Sequence, residues 1–245
     1  MTSERDARAI TSPSGAHGRS RELQRGAQLG QRLARGLNLL GLPLDGAQQD
    51  LLLRYLALLV RWNGVYNLTS VRDPADMVTL HLLDSLSVVG LICGAKGTDV
   101  LDVGTGAGLP GIPLSIACPS YRFRLVDAVA KKISFLTQVK ASLSLVNIEP
   151  QHVRVEALTL AARPDVIISR AYAELTTMVR SVDHLADDST AVIAMKGATP
   201  RDEIASLPAW WRVDEVRELD VPFLGAQRCA VVLRRAADTT HHKGP

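Results

Sequence analysis

The chain has 245 residues, room for one large domain and an appendage, and its 47% apolar and 22% charged composition with 18 Gly and 12 Pro excludes global disorder, collagen and coiled coil. The formal net charge is only +3, yet residues 1–35 carry seven arginines against Glu4, Asp6 and Glu22, so the basic excess sits at the N-terminal end. Cys93, Cys118 and Cys229 are far apart in sequence and form no Cys-x-x-Cys pair. They support neither a disulfide framework nor a thiolate zinc site, and they fit a reducing cytosol.

Residues 1–28 are rich in Ser, Gly and Arg and lack apolar periodicity until Leu29, which reads as a disordered leader. It serves either as a solubilising extension or as an arm that touches a polyanion. The leader has no apolar central stretch, and no uncharged apolar run approaches the roughly 18 residues that span a bilayer. A cytoplasmic protein with no membrane partner is expected, so Asn67-Leu68-Thr69 is not read as a glycosylation site.

From Leu29 to Arg61, Leu33, Leu37, Leu40, Leu52, Leu53, Leu56, Leu59 and Val60 recur at helical spacing, interrupted by Gly41-Leu42-Pro43. A third helical stretch follows Asp73-Pro74, a cap and an opening residue, and runs to about Cys93. Residues 29–93 therefore form an N-terminal helical extension. Beyond it, short β runs alternate with helix-length segments: Thr98–Val103, Tyr121–Asp127, Val153–Val155, Asp165–Ser169, Ala191–Met195, Arg212–Leu219 and Cys229–Leu233. That alternation predicts a mostly parallel sheet with helices on both faces over residues 94–236, followed by a short tail, 237–245. The last two runs are too close for a helical crossover and should pair as an antiparallel edge hairpin.

The strongest chemical signal is Asp102-Val103-Gly104-Thr105-Gly106-Ala107-Gly108-Leu109-Pro110-Gly111, in which a strand ends in an acid and glycines let the backbone approach a ligand. It parses as the dinucleotide fingerprint from Gly106 or as acid-x-Gly-x-Gly-x-Gly from Asp102, the pattern of S-adenosylmethionine-dependent methyltransferases. Asp102 would repel a pyrophosphate and suits a ligand carrying an ammonium and a sulfonium, so the second parse is preferred. Asp127, 25 residues on, can accept ribose hydroxyls in either reading. Val155 and Glu156 fall where an adenine would arrive; a plain strand end with a solvated Glu explains them equally well.

The order and spacing of Tyr66-Asn67-Leu68-Thr69-Ser70, His81-Leu82-Leu83-Asp84-Ser85, Asp102 through Pro113, Ser169-Arg170-Ala171 and Lys196-Gly197 resemble the RsmG/GidB family over roughly residues 40–235. The doubled Gly-x-Pro of Gly108-Leu109-Pro110-Gly111-Ile112-Pro113 makes the resemblance specific. The family implies a seven-stranded Rossmann-like class I methyltransferase sheet carrying a helical extension. It also implies transfer of methyl from S-adenosylmethionine to N7 of guanine 527 in 16S rRNA, with the rRNA or the small subunit or its precursor as partner. Carried onto this sequence, the cofactor contacts fall on Gly104, Leu109, Val155, Glu156 and Arg170, with Asp127 on the ribose; Asp102, Gly106 and Gly108 complete the loop. Leu80 stands where many members carry a charged residue.

No catalytic acid, base or nucleophile is expected, because guanine N7 offers an in-plane lone pair and has no proton to lose. The segment after the fourth strand, Ser169-Arg170-Ala171-Tyr172, is not the Asn/Asp-Pro-Pro-aromatic segment of amino methylation, and no cysteine lies near it for C5 chemistry. Arg170 reads as a cofactor grip, a phosphate contact or a structural ion-pair partner. Lys196, Lys131 and Lys132 are RNA candidates, with Arg122 and Arg124 as a basic flank, although solvated charges explain them too. His81-x-x-Asp84 is read as capping or core hydrogen bonding, and no metal is expected. Trp62 and Tyr66 are read as an apolar anchor of the extension. A small-molecule methyltransferase, an RNA-binding assembly factor without turnover and a nicotinamide dehydrogenase remain as rivals. A monomer with no DNA partner is expected.

Overall fold

A computed structural model describes residues 14–236. Helix α1 (Ser14–Leu39) leads into α2 (Gly46–Tyr66). α2 opens on a capping box in which Asp45 accepts from Gln48 N and Gln48 answers the Asp45 amide, and it closes on Asn67 in the left-handed region. The expected disordered leader is corrected for residues 14–28, which lie in α1. An arginine-, glutamine- and alanine-containing segment with no apolar face still extends a helix whose later turns are nucleated by packing. Residues 1–13 and the tail 237–245 lie outside the described residues.

Asp73 caps α3 (Pro74–Met77) and Pro74 opens it. The chain continues through a π-helical segment (Val78–Leu83), α4 (Asp84–Leu86) and α5 (Val89–Gly94). This stretch, Pro74–Gly94, is apolar and long enough to cross a membrane by length and composition, with a mean hydropathy of 1.7, and 67% of that window is buried within the fold. One reason is Gly36 of α1: a Cβ there would stand 2.4 Å from Leu83 Cδ1, so glycine lets the two helices approach closely.

The sheet follows: β1 (Asp99–Val103), α6 (Gly111–Ala117), β2 (Arg122–Asp127), α7 (Ala130–Leu143), β3 (Ile148–His152), β4 (Val166–Arg170), α8 (Leu175–Val182), β5 (Ala191–Lys196), α9 (Arg201–Ala205), β6 (Trp211–Glu218) and β7 (Cys229–Arg235). Spatial order is β3-β2-β1-β4-β5-β7-β6. Pairs among β1 to β5 are parallel, while β7 runs antiparallel to both β5 and β6, so the expected edge hairpin is present.

The third strand departs from expectation. The apolar pattern predicts Val153–Val155, whereas β3 is Ile148–His152 and Val155 lies in a 3-10 turn. β3 is an edge strand, so it tolerates Pro150 and polar residues that no apolar pattern reveals.

Side chains alternate across the sheet as strand geometry requires. Val100, Phe123, Leu125, Val166, Ile168 and Ile193 enter one core shared with the helical extension, α6 and α7. Leu101, Val103, Val126, Ile167 and Val192 enter a second core under α8. Trp62 packs in tilted contact with Phe135 of α7, ring centroids 5.5 Å apart, and with Tyr66 at 5.1 Å, so the aromatic pair joins the extension to the sheet layer. Strand order reverses between β1 and β4, and a crevice opens beyond the carboxyl ends of the strands at such a switch point.

Candidate active site at the β1–β4 switch point

The loop after β1 is built by three left-handed glycines, Gly104 (φ 66°), Gly106 (φ 61°) and Gly108 (φ 91°). Asp102 holds it from beneath: Oδ2 accepts from Thr105 Oγ1 at 2.6 Å and from Gly111 N at 2.9 Å. Tyr55, fully buried on α2, donates its hydroxyl to Ala107 O at 2.8 Å. The helical extension thus fixes the loop directly, a contact that nothing in the sequence pattern announced.

Asp102 is 0% exposed, and burial raises its carboxyl to about 6 against the pull of Thr105, Gly111 and Arg170. The expectation of a direct ligand contact is corrected on that ground: its charge acts from under the loop. Oδ1 has no partner. Because Asp102 occupies the amide of Gly111, the first residue of α6, the feature that a pyrophosphate would need is already engaged. The dinucleotide parse loses its physical basis.

A cavity of about 270 Å³ lies over the loop, lined by Gly104, Asp127, Lys132, Val155, Glu156 and Tyr172 among others. Gly104, Asp127, Val155 and Glu156 are therefore brought together, while Lys132, expected on the RNA, and Tyr172 join them. A Cβ on Gly104 would stand 2.5 Å from Tyr172 Cδ2, so glycine is required by contact as well as by φ. Asp127 Oδ2 accepts from Gly106 N at 3.0 Å and from Lys132 Nζ at 3.1 Å, and Oδ1 accepts from Val129 N at 2.9 Å. Lys132 is thus corrected from an RNA flank to a wall of this cavity. Gly108 and Leu109 are buried and support the turn from within the core; neither lines the cavity.

A second cavity of about 500 Å³ adjoins the first at Ala171, which borders both. Its walls include Ser70, His81, Asp84, Arg170, Lys196 and Arg228. Arg170, expected on the cofactor, lines this second cavity instead: Nη1 donates to Asp84 Oδ2 and to Leu80 O, each at 2.8 Å. β4 carries the side chain past the first cavity. Asp84 also binds Arg228 Nε through Oδ1 at 3.0 Å, and Arg228, at the β7 entrance, was missed because no motif surrounds it. His81 meets Thr69 Oγ1 through Nε2 at 2.9 Å, and burial with the nearby Arg170 charge lowers its pKa to about 4. Lys196 reaches the second cavity but is engaged by Glu203 at 2.7 Å and by Ala173 O at 2.9 Å.

Lys131 is exposed and donates to Tyr66 O at 3.2 Å. Arg122 and Arg124 pair with Asp99 near the amino ends of the strands. They cannot flank a site at the carboxyl ends, so the expected basic flank is corrected. Among the described residues no three His, Cys, Asp or Glu side chains gather as a metal site.

A family model described as GidB, rRNA small subunit methyltransferase G, matches residues 48–232. The chain belongs to this family. The ribosomal RNA small subunit methyltransferase G of Herminiimonas arsenicoxydans is 51% identical over 207 residues, 83% of this chain and 94% of that protein. Its counterpart from Stutzerimonas stutzeri (strain A1501) is 48% identical over 207 residues, 84% of this chain and 96% of that protein.

Among solved structures, magnesium protoporphyrin IX methyltransferase from Synechocystis PCC 6803 superposes with a TM-score of 0.53 at 15% identity, covering 74% of this chain and 97% of that one. A SAM-dependent methyltransferase from Aquifex aeolicus gives 0.51 at 19%, covering 69% and 97%. At such identities these likenesses establish the class I methyltransferase fold. Within this GidB chain, the two N-terminal motif segments converge on the second cavity through Ser70, His81 and Asp84, and the glycine loop frames the first.

Proposed function

We propose that this enzyme transfers a methyl group from S-adenosylmethionine to N7 of guanine 527 in 16S rRNA, with the nucleoside of the donor in the first cavity and the target guanine in the second. The observation that carries the reading is the junction of the two cavities at Ala171, one framed by the glycine loop and the other bordered by Arg170, Lys196 and Arg228.

The residues fit this donor. Asp127 and Glu156 line the first cavity beside Lys132, and Asp102 adds negative charge from beneath the loop, a balance suited to an ammonium and a sulfonium. Asp127 would hold the ribose with the amide of Gly106 behind it, Val155 and Glu156 would meet the adenine, and Gly104 would admit the donor's close approach. When bound, the donor supplies an electrophilic methyl on a sulfonium.

The chain has no proton to remove from N7, so its contribution is alignment of nitrogen, methyl carbon and sulfur, worth up to about 7–11 kcal/mol. Arg170 and Arg228, locked by Asp84, present fixed positive charge toward an RNA backbone. His81 is neutral at working pH and adds no charge opposing the cationic purine that forms. A-form RNA hides N7 in a deep, narrow groove, so the acceptor guanine is one displayed by a loop or by an opened assembly intermediate. The reading places a monomer in the cytoplasm, acting on rRNA, the small subunit or its precursor, without a DNA or membrane partner.

The test is incubation with tritiated S-adenosylmethionine and small-subunit rRNA or particles lacking the mark, followed by nucleoside mass spectrometry and mapping. A single 7-methylguanosine at position 527 is expected. Robust turnover of free guanosine would sink the acceptor argument; donor binding with no transfer to any RNA would favour a small-molecule methyltransferase.

A further inference from the structure

The three cysteines are isolated in sequence, but folding brings two of them together: Cys93 Sγ lies 3.8 Å from Cys118 Sγ. Cys93 is exposed on α5, and Cys118 is buried directly after α6. Cys229 lies on β7 and takes no part. A sulfur separation of 3.8 Å is non-bonded contact; closing it to the ~2.05 Å of a disulfide asks for a side-chain rotation, with the two helix ends already adjacent. Tyr121 N donates to Cys118 O at 3.0 Å, so the backbone that carries the buried sulfur is held in place.

We propose that Cys93 and Cys118 form an oxidation site, closing to a disulfide in the presence of a small-molecule disulfide such as oxidised glutathione. The exposed Cys93 thiolate attacks one glutathione sulfur, forming a mixed disulfide and releasing the first glutathione thiolate. Cys118, as thiolate, then attacks Cys93 Sγ and expels the second. Two protein thiols are oxidised, one glutathione disulfide is reduced to two thiols, and the protons shed by the two cysteines pass to the two leaving thiolates.

The order of attack follows from the surroundings. Burial and the neighbouring Cys93 push the Cys118 thiol up to about 12, so it is a poor first nucleophile. Capping Cys93 removes the negative charge that opposes ionisation of Cys118 and delivers the electrophilic sulfur into contact.

The consequence is topological. Between the two cysteines lie β1, the whole glycine loop and α6. The bridge would make that segment a covalent ring and tie α6 to the end of the helical extension, stiffening the frame from which the loop is hung. Chain closure of this kind acts on the unfolded state, and a rise in Tm of roughly 5–10 °C is the expected readout.

The test exposes the native full chain to oxidised glutathione, quenches with acid, alkylates the remaining thiols after denaturation and maps them by peptide mass spectrometry, with thermal melting in parallel. Supporting results are a Cys93–Cys118 cross-linked peptide, Cys229 alone alkylated, a raised Tm that dithiothreitol reverses, and no rise in Cys93→Ser. Cys118→Ser should then hold a stable glutathione adduct on Cys93, which also shows that the variant is folded and reactive. Glutathione retained on Cys93 of the unaltered chain with Cys118 still alkylatable, or both thiols unchanged, would overturn the proposal.

Discussion

Asp84 and Arg170 form an ion pair of 2.8 Å in the wall of the second cavity, and the opposite oxygen of the same carboxylate holds Arg228 at 3.0 Å. One acid from the helical extension thereby orients two cations from the ends of β4 and β7. Asp84 is only 3% exposed, so its charge must be matched by these partners.

Asp84→Asn should therefore leave two arginines without their counter-charge beside the acceptor site. The expected outcome is a loss of about 3 kcal/mol in unfolding free energy, in the range of broken buried pairs, and at least a roughly tenfold fall in methyl transfer to RNA. Donor affinity should change little, since Asp84 borders only the second cavity. Chemical denaturation, calorimetry with S-adenosylmethionine and a transfer assay separate the three effects.

Gly104→Ala attacks the first cavity. The new methyl meets the Tyr172 ring in a residue held at φ 66°, where an L side chain is strained by about 1 kcal/mol or more. Donor binding should weaken by at least about tenfold while the far-UV spectrum is retained. Affinity equal to that of the unaltered enzyme would show that Tyr172 swings aside freely.

Asp102→Asn should separate stability from binding. The folded carboxyl is raised from 3.8 to about 6, so its favourable contribution is complete below pH 3.8 and is lost as pH rises through 6. At neutral pH the ionised, buried group costs up to about 3 kcal/mol. Asparagine keeps an oxygen for Thr105 and Gly111 without the charge. The variant should melt higher than the unaltered enzyme at pH 7.5, lose that advantage toward pH 4, and bind the donor more weakly; an unchanged donor affinity would refute the charge argument for the loop.

His81 works with the opposite sign. Its pKa is lowered from 6.5 to about 4, so its contribution is present above pH 6.5 and is lost as pH falls through 4, a span worth up to about 3 kcal/mol. In His81→Gln this part of the acid sensitivity should disappear. Unfolding curves collected from pH 7.5 down to 4 would show a shallower decline for the variant.

Much of this architecture is written in local pattern. Leucines at helical spacing mark α1 and α2, Asp73-Pro74 opens α3, and β-branched runs alternating with helices mark six of the seven strands close to their observed bounds. The glycine loop is equally legible, because left-handed backbone and close approach restrict those positions to glycine. β3 escaped, since an edge strand with Pro150 need not be apolar. The start of α1 escaped as well, because helix extension needs only good helix formers once packing supplies the nucleus.

The sequence alone determined the class of fold, the family and the loop that frames the donor, all of which depend on short-range spacing. Only the tertiary structure decided how the charges are used. It buried Asp102 beneath its loop, turned Lys132 onto Asp127, sent Arg122 and Arg124 to the far end of the sheet, and joined Asp84 to Arg170 and Arg228. It also set Cys93 against Cys118. Partnerships between residues distant in the chain follow from which strand ends and helix ends meet at the switch point, and one-dimensional spacing does not encode that meeting.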